Sequence, residues 1–203
     1  MNCSYKYCIV ISEPSQTDWK NLCSASIISK HILMTAAHCL RTHESKRQVL
    51  VGQSVLKSDT FETTRQVFNI AKVELHPKYN DFIAYFDIGL IYTTEEIQFN
   101  EAVQPVCLPT APNQNSDNLD GNIAVVAGWG KESEDGINSK GILRRISLAV
   151  FSYETCHQKY DLTGNSDDAQ KRKIFLPEMF TNQMLCAGST VILSLKKEIN
   201  LKF

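Results

Sequence analysis

What most constrains this chain is its rhythm. Short β-rich runs recur along it, and no stretch carries a long helical period. Residues 22–29 and 32–36 are such runs, followed by 48–51, 65–75 and 88–92, and later by 123–127 and 143–150. Between them lie turn-forming segments such as His76-Pro77-Lys78-Tyr79-Asn80 and Asn118-Leu119-Asp120-Gly121. Proline fixes φ and removes a backbone donor, while glycine and asparagine tolerate left-handed φ, so these segments interrupt a strand ladder. Many short strands without long helices imply an all-β sandwich or barrel. Residues 152–160 read as a short helix with Ser152 as its N-cap.

The chain has 203 residues, a length that all-β barrels, at roughly 200–250 residues, occupy as one domain. It is 43% hydrophobic and 21% charged, which suits a globular protein. A net charge of −1 suggests neither a nucleic-acid partner nor an acidic substrate. No apolar run approaches about 18 residues, so no membrane span is expected.

Seven cysteines stand at 3, 8, 23, 39, 107, 156 and 186. None forms a C-x-x-C pair, and the nearby histidines lack zinc spacing, so neither a metal nor another cofactor is expected. Disulfides in an oxidising compartment fit this usage better. The opening Met1-Asn2-Cys3-Ser4-Tyr5-Lys6-Tyr7-Cys8 lacks the apolar core and cleavage site of a signal peptide. The expectation is therefore of a true N-terminus further upstream. Asn2-Cys3-Ser4 is the only glycosylation sequon.

Gln104-Pro105-Val106-Cys107-Leu108-Pro109 reads as a connector, because two prolines exclude a central strand. A polar stretch, 110–120, follows it, and the boundary between two halves is placed near residue 108. Residues 163–173, ending in Lys171-Arg172-Lys173, read as a solvated surface loop. The loop 52–63 contains Asp59 and Glu62 but no calcium-ligand pattern.

Two segments carry candidate chemistry. In Thr35-Ala36-Ala37-His38-Cys39, a histidine follows the apolar run Ile32-Leu33-Met34 and three small residues, as at a strand ending in a tight turn. In Asp87-Ile88-Gly89-Leu90-Ile91, a carboxylate precedes an apolar strand, and burying it requires a partner. A neutral imidazole accepts a proton near pH 7. A carboxylate beside it holds the ring's tautomer and stabilises the imidazolium. Taken singly, His38 also reads as a core or surface histidine, and Asp87 as a turn residue capping a strand.

The surrounding frame decides between these readings. Cys23-Ser24-Ala25-Ser26-Ile27-Ile28-Ser29 precedes the histidine segment. Gly128-Trp129-Gly130, Leu143-Arg144-Arg145-Ile146-Ser147-Leu148, Tyr153-Glu154-Thr155-Cys156 and Met184-Leu185-Cys186-Ala187-Gly188 follow the aspartate segment. In this order they resemble the trypsin-like, chymotrypsin-fold serine proteases, over roughly residues 8–189. The departure in this frame is Ser24-Ala25, where that family usually has two glycines.

The resemblance implies an all-β fold of two antiparallel six-stranded-type barrels, the second incomplete. Residues 1–203 would be one peptidase-type domain, with 8–107 as first barrel, 108–189 as partial second barrel and 190–203 as divergent tail. Ile9-Val10-Ile11-Ser12 would be the first strand rather than an activation-freed terminus. His38 would be the base and Asp87 the orienting acid of a serine endopeptidase acting by acyl transfer. Cys23–Cys39 and Cys156–Cys186 would be disulfides, and Cys107 would tether an N-terminal propeptide, with Cys3 or Cys8 as its partner. The implied setting is extracellular, and the implied partner is a protein or peptide substrate or a cascade protease. His31, His43, His76 and His157 have no such frame and read as surface or turn residues.

The resemblance stops after Gly188. No Gly-Asp-Ser-Gly-Gly run, the family's nucleophile segment, occurs in the chain. Ser194 lacks the flanking glycines that aim backbone N–H groups at an oxyanion, and Ser189 is too close to Cys186. The chain as written is therefore expected to be inactive. Residues 191–203 are read either as translated intron or as a divergent C-terminus. The alternative function is that of a non-catalytic homologue, a binding or regulatory protein in a proteolytic cascade.

Overall fold

The computed structural model describes residues 8–14, 19–41, 47–55, 62–81, 85–109, 119–129, 141–156 and 185–188. Outside the described residues lie the sequon, Cys3, His43, Asp59, His157, the loop 163–173, Ser189, Ser194 and the tail. The chain divides into two compact units. The first is built on residues 1–108 and 127–144, the second on 109–126 and 145–202.

The first unit is a closed barrel. Its strands are β1 (Cys8–Pro14), β2 (Trp19–Ile27), β3 (Ile32–Thr35), β4 (Gln48–Val51), β5 (Gln66–Leu75) and β6 (Gly89–Thr93). They pair antiparallel in the order β1-β2-β3-β6-β5-β4, and β1 closes on β4 through Val10↔Leu50 and Ile11↔Val49. Closure gives every strand of this barrel a neighbour on both sides.

Side chains alternate across a strand, so every second residue faces the barrel interior. In β3 Leu33 and Thr35 are buried; in β6 Gly89, Ile91 and Thr93 are. The register sets Leu33 against Ile91 and Ile27 against Leu33. Leu33, Val49 and Ile91 are fully buried, and Ile97 and Val103, beyond β6, join the same core. Each such side chain stabilises the fold by about 1.5–3 kcal/mol relative to exposure. The buried hydroxyls are satisfied: Thr35 Oγ1 donates to Ser24 O at 2.7 Å, and Thr93 Oγ1 to Glu95 O at 2.7 Å.

After β4 the chain turns at Gly52, whose φ is +73°. A Cβ there would sit 2.2 Å from Thr64 O, so only glycine fits. Beyond this turn, Glu62 Oε1 accepts from Ser54 N, Ser54 Oγ and Val55 N at 2.9, 2.7 and 3.1 Å.

Residues 127–144 follow the proline connector in sequence yet belong to the barrel unit. Trp129 Nε1 donates to Ser54 O at 3.0 Å, Leu143 N donates to the same oxygen at 2.7 Å, and Val55 bridges Ile142.

A three-stranded sheet follows in the order β7-β8-β9: β7 (Ile123–Gly128), β8 (Arg144–Phe151) and β9 (Cys186–Gly188). β8 and β9 run antiparallel, with Val150 against Ala187. Ser152 Oγ accepts from Thr155 N at 3.2 Å and so caps the helical turn at 153–156. Residues 157–160 of the expected helix are outside the described residues.

Replacing Ile91, fully buried opposite Leu33, by Ala removes core volume that the closed barrel cannot recover. Ile91→Ala is expected to cost about 2–5 kcal/mol. Urea unfolding checks this through a lowered midpoint at an unchanged slope.

Candidate active site

The site begins with a strand register. Thr35, the last residue of β3, pairs with Gly89, the first of β6. The chain leaving Thr35 therefore runs beside the chain entering Gly89. After Thr35 it passes through extended Ala36 into a short 3-10 turn, Ala37–Leu40, that carries His38. Two residues before Gly89 stands Asp87.

A helical turn begins with backbone N–H groups that have no partner within it. Here His38 N–H donates to Asp87 Oδ1 at 2.8 Å. The second carboxylate oxygen, Oδ2, lies 2.6 Å from His38 Nδ1. A carboxylate only accepts, so Nδ1 carries a proton, and in the neutral ring the lone pair is on Nε2. Nε2 lies 3.5 Å from Cys39 Sγ, a disulfide sulfur with no proton to offer it. The imidazole is 40% exposed and the carboxylate 25%. The ring that takes the proton is thus more exposed than the carboxylate that orients it.

The turn is held on several sides. Ala37, Cys39 and Leu40 are buried. A disulfide joins Cys39 to Cys23 on β2, with a Cα separation of 6.0 Å. Arg47 Nη1 donates to Cys39 O at 3.2 Å. Gly89 lets β6 approach closely: a Cβ there would lie 2.7 Å from Leu40 Cδ1 and 3.1 Å from Glu74 O.

Asp87 is held through its neighbours. Phe86 has φ +54°, in the left-handed region that bulky residues avoid. Such a conformation costs about 1–3 kcal/mol. Ile88 N–H donates to Phe86 O at 2.7 Å, closing a tight turn centred on Asp87, and His76 N–H donates to Ile88 O at 3.0 Å. The Phe86 ring stacks on His76, with centroids 4.7 Å apart and planes 6° from parallel. Lys78 Nζ lies 5.7 Å from the Phe86 ring centroid. A ring pair of this kind contributes about 0.5–1.5 kcal/mol and so offsets part of the strain.

The sequence reading missed this support. His76, read as a surface or turn residue, is half-buried against Phe86, and its Nδ1 accepts from Lys78 N at 3.1 Å. Phe86 gave no signal, because phenylalanine does not advertise positive φ. His31 does lie at the surface, with Nε2 3.8 Å from Glu96 Oε1.

Nearby, Arg41 Nε pairs with Asp81 Oδ2 at 2.5 Å, and the Tyr79 hydroxyl donates to Asp81 Oδ1. Burial, then the Asp81 carboxylate, pushes the Tyr79 phenol up from 10 to about 12. Cys23, His38 and Cys39 also bring potential metal-ligand atoms within 4.8 Å of one another. The two sulfurs are bonded to each other, so they offer no thiolate to a metal. Cys107 is disulfide-bonded. In the second unit a disulfide joins Cys156 to Cys186.

Comparison with known proteins gives a consistent result. The family described as Trypsin matches residues 4–194. The chain is 34% identical over 172 residues to Clotting factor G beta subunit of Tachypleus tridentatus, covering 82% of this chain and 51% of that one. It is 36% identical over 142 residues to Venom serine protease of Polistes dominula, covering 68% and 50%. Serine protease snk of Drosophila melanogaster is 31% identical over 166 residues, covering 82% and 34%. The chain thus spans about half, or less, of the length of these curated relatives. The solved structure described as "Structure of GrC" is similar at a TM-score of 0.68 and 23% identity, covering 92% of this chain and 72% of that one. That likeness shows the fold: an all-β, two-barrel, chymotrypsin-like architecture.

Two outcomes follow from the geometry. Gly89→Ala places a methyl against Leu40 and Glu74 O and is expected to cost about 1–3 kcal/mol. Hydrogen exchange at His38 N–H should accelerate in the same variant, and urea unfolding reads the stability loss. The second outcome concerns pH. An unfolded chain releases the Tyr79 proton near pH 10, whereas the folded chain keeps it to about pH 12. The unfolded state binds fewer protons between these values, so Tyr79's contribution is complete below pH 10 and lost as pH rises to about 12. Urea midpoints should fall more steeply across that window in the wild type than in Tyr79→Phe.

Proposed function

The chain belongs to the trypsin family of serine proteases, and on that premise we propose that His38 and Asp87 are the base and orienting acid of peptide-bond cleavage, with the serine nucleophile supplied from outside these 203 residues. The observation that carries this reading is the double engagement of Asp87. One carboxylate oxygen takes the His38 ring proton and the other takes its backbone N–H. The ring can then neither rotate nor change tautomer without losing a charge-assisted bond.

In this reading Nε2 removes the proton of a serine hydroxyl as that oxygen attacks the scissile carbonyl. Asp87 stabilises the imidazolium that forms. The imidazolium then gives its proton to the leaving amine, and water repeats the cycle on the acyl-enzyme. The substrate is a protein or peptide. The similarity to a clotting-factor subunit supports a protein of a proteolytic cascade as partner. Disulfides at Cys23–Cys39 and Cys156–Cys186 support an extracellular setting. We carry the division into a first barrel at 8–107, part of a second at 108–189 and a tail at 190–203 as part of the same proposal, with residues 127–144 of that second part clustering with the first compact unit.

A second reading rests on a different observation. No Gly-Asp-Ser-Gly-Gly run occurs in these residues. A polypeptide with the fold and the His38–Asp87 pair but no nucleophile would act as a binding or regulatory homologue in such a cascade. Sequencing the full-length transcript across the codons for Thr190 and Val191 separates the two. A spliced exon encoding Gly-Asp-Ser-Gly-Gly supports the enzyme, and a message continuing through residues 191–203 to a stop supports the binding protein.

The purified 203-residue protein is expected to show no peptidase activity and no labelling by a serine-directed phosphonate. Labelling that is abolished by Ser194→Ala would overturn this account.

A further inference from the structure

Phe86 holds φ at +54° immediately before Asp87. Non-glycine residues persist in this region when their surroundings over-determine them, and such residues cluster at functional sites. The surroundings here are specific. Phe86 O accepts from Ile88 N–H at 2.7 Å, so the turn it forms has Asp87 at its centre. His76 N–H holds Ile88 O at 3.0 Å on the far side of that turn. The His76 ring lies flat on the Phe86 ring, 4.7 Å away. His76 is itself fixed, because its Nδ1 accepts from Lys78 N at 3.1 Å.

We propose that Phe86, clamped by the His76 ring, is a positioning residue that sets the direction of the Asp87 carboxylate. This inference rests on the reading of His38 and Asp87 as base and orienting acid. The two oxygens of Asp87 must meet two donors of one residue, a ring N–H at 2.6 Å and a backbone N–H at 2.8 Å. That double fit requires a defined carboxylate plane and a defined backbone path into Asp87. An extended residue at 86 would send the chain along a different path. The left-handed φ makes the bend, and the stack on His76 holds it in place. The device is local: Phe86 and His76 are only half-buried and lie outside the barrel core.

The test is proton NMR on the 203-residue protein with labelled histidine. A short imidazole–carboxylate hydrogen bond produces a far-downfield resonance for the His38 Nδ1 proton. Four proteins are compared: wild type, Phe86→Tyr, Phe86→Asn and His76→Ala. Tyrosine keeps the ring. Asparagine adopts left-handed φ readily but has no ring to stack. Wild type and Phe86→Tyr should show the resonance. In Phe86→Asn and His76→Ala the Nδ1 proton should exchange with solvent about tenfold faster, the factor that losing the upper range of a ring stack allows. Amide protection at Val49 and Ile91 in the barrel core should not change.

Each alternative result is decisive. Absence of the resonance in the wild type sinks the base–acid reading, and this inference with it. Its presence there together with unaltered exchange in both ringless variants overturns the role of Phe86 alone. Loss of core amide protection in both variants, in step with the resonance, makes Phe86 a structural residue and overturns the positioning role as well.

Discussion

The antiparallel ladder between β3 and β6 is the constraint on which the rest depends. Four residue pairs, from Ile32↔Tyr92 to Thr35↔Gly89, bring the end of one strand beside the start of the other. Both strands point alternate side chains into the same core, where Leu33 faces Ile91. A slip of one residue in β3 would turn Leu33 out of the core and bring Ile32 and Met34 in its place. It would also separate His38 from Asp87. Burial in the barrel therefore sets the distance between two residues that themselves lie outside it.

This arrangement reconciles two demands that conflict. A proton-accepting imidazole must reach solvent, yet its orientation must be narrow. His38 meets the first by sitting on a short turn rather than in a strand. It meets the second because its immediate neighbours are buried and bonded. Ala37, Cys39 and Leu40 pack inward, and the Cys23–Cys39 disulfide ties the turn to β2. On the aspartate side the device is different. Asp87 is bracketed by backbone hydrogen bonds, by the left-handed Phe86 and by the missing side chain at Gly89. One residue is held by core packing and the other by turn geometry.

Strand positions were legible because β-rich composition and turn-forming residues are local properties. The runs at 32–36, 48–51 and 65–75 differ from β3, β4 and β5 by no more than one residue at either end. Elements without a local signature were not legible in this way. β9 is three residues long, too short to display a period, and its pairing with β8 supplies the order that its sequence lacks. Trp129 and Leu143 were read as part of the segment after the connector. Their hydrogen bonds to Ser54 O attach them to the barrel unit, and no local pattern encodes a bond across that separation. His76 was read by elimination, because it sits in a turn motif. The ring that covers it comes from residue 86, so its burial is a tertiary fact.

The sequence by itself determined the fold class and the family, through its succession of short β-rich runs and the order of its His38, Asp87, Gly-Trp-Gly and cysteine segments. It also determined that no Gly-Asp-Ser-Gly-Gly nucleophile segment is among these 203 residues. Only the tertiary structure decided how Asp87 divides its two oxygens between the ring and the backbone of His38, and which residues hold it there. Short β-rich runs and motif order are written in neighbouring residues. The direction of a carboxylate is set by a backbone angle at Phe86, a ring from His76 and the space at Gly89, and these meet only when the barrel closes.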